Sequence, residues 1–106
     1  CIAQNGTVCT TASWNNTIRN VVGIVGSASS AANYLYYPYD VFIDRSQSLF
    51  VADCGSNRIK KFLNGSTTST TISGLTLSCP SGIFVTRDGA LYIIDLSNYR
   101  ILRWNN

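Results

Sequence analysis

Pro38-Tyr39-Asp40-Val41-Phe42-Ile43-Asp44 opens a stretch that runs to Phe62 and aligns without a gap on Pro80-Ser81-Gly82-Ile83-Phe84-Val85-Thr86 through Trp104, at an offset of 42 residues. Val41/Ile83, Phe42/Phe84, Ile43/Val85, Leu49/Leu91, Phe50/Tyr92, Val51/Ile93, Asp53/Asp95, Arg58/Arg100, Ile59/Ile101 and Phe62/Trp104 keep both residue type and spacing. So many ungapped matches mark an internal repeat. Each repeat reads as a short apolar strand, a turn (Arg45-Ser46-Gln47 or Arg87-Asp88-Gly89), and a second apolar strand ending in Asp53 or Asp95. A polar turn and a third strand opened by Arg58-Ile59 or Arg100-Ile101 complete the shared pattern, and a fourth strand is expected at residues 66–73.

Four short antiparallel strands in a unit of about 40 to 45 residues make one blade of a β-propeller. The expected fold class is therefore all-β: about two to two and a half four-stranded antiparallel blades, an incomplete propeller unless other chains complete it. The pattern Pro-x-x-Val/Ile-x-Val/Ile, then Leu-Phe/Tyr-Val/Ile-x-Asp-x-x-x-x-Arg-Ile, resembles the NHL repeat of β-propeller proteins. Asn57-Arg58-Ile59 is similar to the asparagine end of that signature with Arg in the histidine place, and Tyr99-Arg100-Ile101 departs further. The resemblance is close over residues 37–104 and looser over 17–36, where Val21-Val22-Gly23-Ile24-Val25-Gly26 is similar to an outer strand and glycine-rich link. It implies a secreted, eukaryotic-type NHL-repeat propeller. It does not fix the task, because such proteins include RNA binders, lyases, receptor sensors and extracellular scaffolds.

Four segments follow. Residues 1–16 are a cysteine-containing segment that can supply a strand of a preceding blade; 17–36 hold an outer strand and a Gly/Ser/Ala-rich link; 37–79 are a first blade; 80–106 are a second blade lacking its outer strand. One end offers what the other lacks, and Trp14-Asn15-Asn16 is matched by Trp104-Asn105-Asn106. The chain thus reads as one period of something longer. An unclosed blade exposes a strand edge that recruits another chain. Head-to-tail strand completion between copies, into a filament or a ring, is the expected outcome.

Composition narrows the function. Hydrophobic residues make up 45% of the 106 and charged residues 12%, so the chain is ordered rather than solvated coil. It has no His, Glu or Met, which excludes imidazole metal ligands, histidine-activated nucleophiles and histidine acid–base catalysis. No enzymatic role is expected, including the lyase chemistry of some NHL-like propellers, which needs a metal. The net charge of +3 is scattered rather than gathered in a stripe, and no apolar run approaches the roughly 20 residues of a membrane span. Neither a nucleic acid nor a membrane is an expected partner. Cys1, Cys9, Cys54 and Cys79 form an even set without a Cys-x-x-Cys pair, which favours disulfides and an oxidising compartment. Asn5, Asn15 and Asn64 each begin an Asn-x-Ser/Thr acceptor, so an extracellular, N-glycosylated protein is expected. Glycans are the only non-protein groups anticipated. Calcium would need six or more converging oxygens, which five acids spread over two repeats hardly supply.

Asp53 and Asp95 lie five residues before Arg58 and Arg100. A binding carboxylate is one reading; the favoured one is a structural turn, in which Asp bonds the backbone of its own turn and pairs with Arg. Four cysteines allow three connectivities. In a propeller the loops carrying Cys54 and Cys79 lie on one face of adjacent blades, so Cys54–Cys79 with Cys1–Cys9 is preferred, and a bridge between chains through Cys1 or Cys9 is the rival. Tyr34, Tyr36, Tyr37 and Tyr39 form the densest aromatic patch, available to a ligand or a subunit, or simply covering the approach to the first strand. The leading expectation is an extracellular structural protein that self-assembles. The alternative is a secreted propeller module that recognises a glycan or protein ligand.

Overall fold

The computed structural model describes residues 18–105. Cys1, Cys9, Asn5 and Asn15, with the strand that residues 1–16 are expected to supply, lie outside them. Two antiparallel sheets form, one per repeat. The first holds β1 (Pro38–Ile43), β2 (Leu49–Asp53), β3 (Arg58–Phe62) and β4 (Ser69–Thr71) in sequential order. The second holds β5 (Pro80–Val85), β6 (Leu91–Asp95) and β7 (Arg100–Trp104), with no fourth strand among the described residues.

The sequence repeat is a backbone repeat down to its irregularities. Each first strand opens on a proline and a register shift, between Pro38 and Asp40 and between Pro80 and Gly82. Proline has no N–H to give the ladder, so it is tolerated where pairing is broken. Each first turn is a three-residue loop whose last residue has positive φ, Gln47 at 63° and Gly89 at 91°. This is the geometry of a type I turn followed by a left-handed residue. Asp44 accepts hydrogen bonds from the Ser46 and Ser48 N–H groups in one loop, and Thr86 Oγ1 accepts from the Ala90 N–H in the other. Different side chains thus close the same turn. A 3-10 turn follows each second strand, Cys54–Ser56 and Leu96–Asn98, and ends on a left-handed residue, Asn57 or Tyr99.

Alternation along the strands builds the core. Phe50, Ala52 and Ile59 project from one face of the first sheet onto Ile83, Val85, Leu91 and Ile93 of the second, with Leu77 of the link between them. The Phe42 and Phe84 rings meet edge-on at 5.1 Å where β1 passes β5.

One expectation changes. The fourth strand is shorter than residues 66–73, because Ser66 Oγ accepts from the Thr68 N–H in a local turn and Gly74, at φ 78°, turns the chain away. Residues 18–25, read as an outer strand without a blade of its own, form an isolated bridge between Ile24 and Ser27 and no ladder among the described residues; the edge of β3 is taken by β4. Among the described residues no helix is long and apolar enough to cross a membrane.

Candidate functional site

The repeated acid and arginine form a clamp on incoming chain. Asp53 Oδ2 accepts from Arg58 Nε at 2.8 Å, and Oδ1 accepts from the Tyr36 N–H at 2.6 Å. In the second repeat Asp95 Oδ2 accepts from Arg100 Nε at 2.8 Å, and Oδ1 accepts from the Ser78 N–H at 2.7 Å. Tyr36 and Ser78 are counterparts, each two residues before the proline that starts its sheet. The carboxylate therefore holds the segment entering the sheet, not the backbone of its own turn as expected, since the 3-10 turn directs its own N–H groups elsewhere. Burial raises the Asp95 pKa, but hydrogen bonds from the Ser78 N–H, Asn98 and Arg100 outweigh it and hold the carboxyl below its ordinary value.

The guanidinium groups finish the clamp unequally. Arg58 donates to the carbonyls of Ser30, Ala31 and Tyr34, whereas Arg100 donates to that of Thr76. Their side chains are 16% and 45% exposed. Lys60, which sequence reading passed over, reinforces the first clamp. It is 1% exposed, and its Nζ donates to the carbonyls of Ala32 and, at 2.7 Å, Tyr34. Desolvation, then the Arg58 charge, lower its pKa, against the opposing pull of Asp53. Its counterpart is Leu102, which packs against the core, so a lysine where the repeat places a packed leucine was the available signal.

Cys54 and Cys79 are bridged, linking the turn after β2 to the residue before β5. Beside the bridge the Cys79 N–H donates to Asn57 Oδ1 at 2.8 Å. The tyrosines divide. Tyr36 lies over Gly55, whose N–H donates to the Tyr36 carbonyl at 2.7 Å, and its ring stacks on Tyr37 at 4.8 Å. Tyr34 is half-buried, while Tyr37 and Tyr39 are exposed. Asn64 is exposed in the loop between β3 and β4, open to glycan attachment. Among the described residues no three of Asp, Glu, His or Cys come together as metal ligands.

The most conspicuous surface is the outer face of the second sheet. Register places Gly82, Phe84, Tyr92, Ile94, Ile101 and Arg103 on it. Phe84 is 56% and Ile101 70% exposed. Beyond it the outer edge of β7 pairs with no strand among the described residues. On the far side of the molecule Val41 and Ile43 of β1 are likewise exposed. Grouped apolar side chains on a sheet face beside an unpaired strand edge are features that favour association. Neither a family model nor a curated protein matches the chain.

Proposed function

We propose that this is an extracellular structural protein: an N-glycosylated, NHL-type β-propeller unit that associates head to tail with its own kind into a filament or ring. One observation carries the reading. The two repeats share a three-stranded backbone, yet among the described residues the first has a fourth strand and a covered apolar face while the second has an unpaired edge and an exposed face. A heterologous contact that supplies both makes a ring if its rotation closes and a filament if it does not. The disulfide and the exposed Asn64 acceptor fit an oxidising, secretory setting. A ligand-binding module is the second reading, favoured by the exposed Tyr37 and Tyr39.

Light scattering with negative-stain imaging of the isolated protein tests the proposal. Fibres, or closed rings of two or three chains, are expected. A monomer at every concentration, with a glycan or protein ligand held at the tyrosines, would overturn it in favour of the binding module.

A further inference from the structure

The interface inside the chain has two sides, and the repeat gives each side a counterpart, exposed on the second sheet and in part on the first. On one side Phe42, Phe50, Ala52 and Ile59 of the first sheet face inward. Their counterparts 42 residues on are Phe84, Tyr92, Ile94 and Ile101, the exposed face of the second sheet. On the other side lie Ile83, Val85, Leu91 and Ile93, whose counterparts on the outer face of the first sheet are Val41 and Ile43, both exposed, Leu49, half-buried, and Val51, fully buried.

The clefts repeat as well. Between the sheets, Val85, Gly89, Leu91 and Trp104 face Thr70, Thr71, Ile72 and Ser73 across a cleft of about 600 Å³. On the outer face of the first sheet, their counterparts Ile43, Gln47, Leu49 and Phe62 face Arg19, Asn20, Val21 and Val22 across one of about 740 Å³. Residues 19–22 thus occupy the place that β4 and the two residues after it occupy on the second sheet. Both segments end on a left-handed glycine, Gly23 at φ 88° and Gly74 at φ 78°. Aligning those glycines pairs Asn20 with Thr71 and Arg19 with Thr70.

Resting on the self-assembly reading, we infer that the open face and edge of the second sheet dock a second copy of this chain in a defined register. The first sheet of that copy covers Phe84, Tyr92, Ile94 and Ile101, and its residues 18–22 become the missing fourth strand beside β7. In the chain, Lys60, Lys61 and Phe62 oppose Thr71, Thr70 and Ser69. Between copies Leu102, Arg103 and Trp104 therefore oppose Asn20, Arg19 and Ile18. The counterpart of the Cys54–Cys79 bridge brings Leu96 against Tyr37 of the second copy, and both are exposed in the single chain.

This joint is weaker than the internal one. Leu96 and Tyr37 form no covalent link. Gly82 lacks the carboxylate with which Asp40 accepts the Ile83 N–H at 3.0 Å. Arg103 opposite Arg19 is a like-charge rung that salt screens.

Mixing full-length Leu96→Cys and Tyr37→Cys chains under mild oxidation tests the docking. A disulfide-linked heterodimer is expected as the main product of the mixture, absent from either variant alone. Tyr37 tolerates the change, since its counterpart is already a cysteine at the same left-handed φ. Arg19→Cys mixed with Arg103→Cys tests the strand register at two exposed positions. It should link far more completely than Val21→Cys with Arg103→Cys. Native protein that assembles while neither designed pair links overturns this inference and leaves self-assembly standing. Native protein that stays monomeric and unlinked overturns both.

Discussion

The two repeats share a frame but not a finish. In the first, Arg58 and Lys60 together hold carbonyls of Ser30, Ala31, Ala32 and Tyr34, a fourth strand covers the edge of β3, and a disulfide fastens the turn after β2 to the next sheet. In the second, Arg100 holds the carbonyl of Thr76, Leu102 replaces the lysine, Leu96 replaces the cysteine, and the edge of β7 pairs with no strand among the described residues. The hairpins, bulges and acid–arginine pairs are nevertheless the same. Hydrogen bonds local to the repeat therefore suffice for the strand frame, and what differs is how each frame is fastened to the chain that precedes and follows it.

The largest expected effect sets the two clamps against each other. Removing one partner of a buried pair leaves an uncompensated charge, so Asp53→Ala should cost about 4 kcal/mol. Asp95→Ala should cost about half as much, because the more exposed Arg100 can turn to water. Urea unfolding of both variants checks this ordering, and equal losses would remove the distinction between the clamps. Acid sharpens it. Because the folded Asp95 pKa lies below its ordinary value, its stabilisation is present above about pH 4 and is lost as pH falls through the lowered value. Asp95→Asn should remove that part of the acid transition.

Next comes the bridge. Cys54 and Cys79 are 25 residues apart, and replacing both with Ser should cost about 3 kcal/mol in thermal unfolding. Leu96→Ser at the counterpart of Cys54, half-exposed in the single chain, should cost well under 1 kcal/mol.

The smallest contrast concerns Gly55 and its counterpart Ser97. A Cβ on Gly55 would lie 2.5 Å from the Tyr36 carbonyl oxygen and 2.8 Å from its ring, so Gly55→Ala should cost about 2 kcal/mol. Ser97 already carries a Cβ while donating its N–H to the Ser78 carbonyl at 3.0 Å. Ser97→Ala should therefore be nearly silent, and hydrogen exchange of the Gly55 and Ser97 amides would report both.

What the sequence made legible is what the repeat wrote twice. The turns at Arg45-Ser46-Gln47 and Arg87-Asp88-Gly89 and the strands ending in Asp53 and Asp95 were readable because each position had a counterpart to check it. The Cys54–Cys79 bridge was readable only once the loops were placed in space. The partners of Asp53 and Arg58 were not. They are backbone groups of an irregular link, which leave no side-chain signature in the sequence. Lys60 was hidden for the opposite reason: a lysine reads as surface until it is set against its counterpart, the packed Leu102. Residues 18–25 have the pattern of a strand but no ladder partner among the described residues, and pattern alone does not say whether a neighbour is present.

The bridge also decides how the molecule bears load. A pull applied at the two ends passes from β2 through Cys54 and Cys79 into β5, so β3, β4 and the link to Ser78 carry no tension. With a span of 25 residues, about 85 Å of extended chain is withheld from stretching. The Asn64 glycan acceptor sits inside this slack segment. Oxidation thus separates a tensile path, made of β1, β2 and the second sheet, from a side loop that can be decorated without being strained.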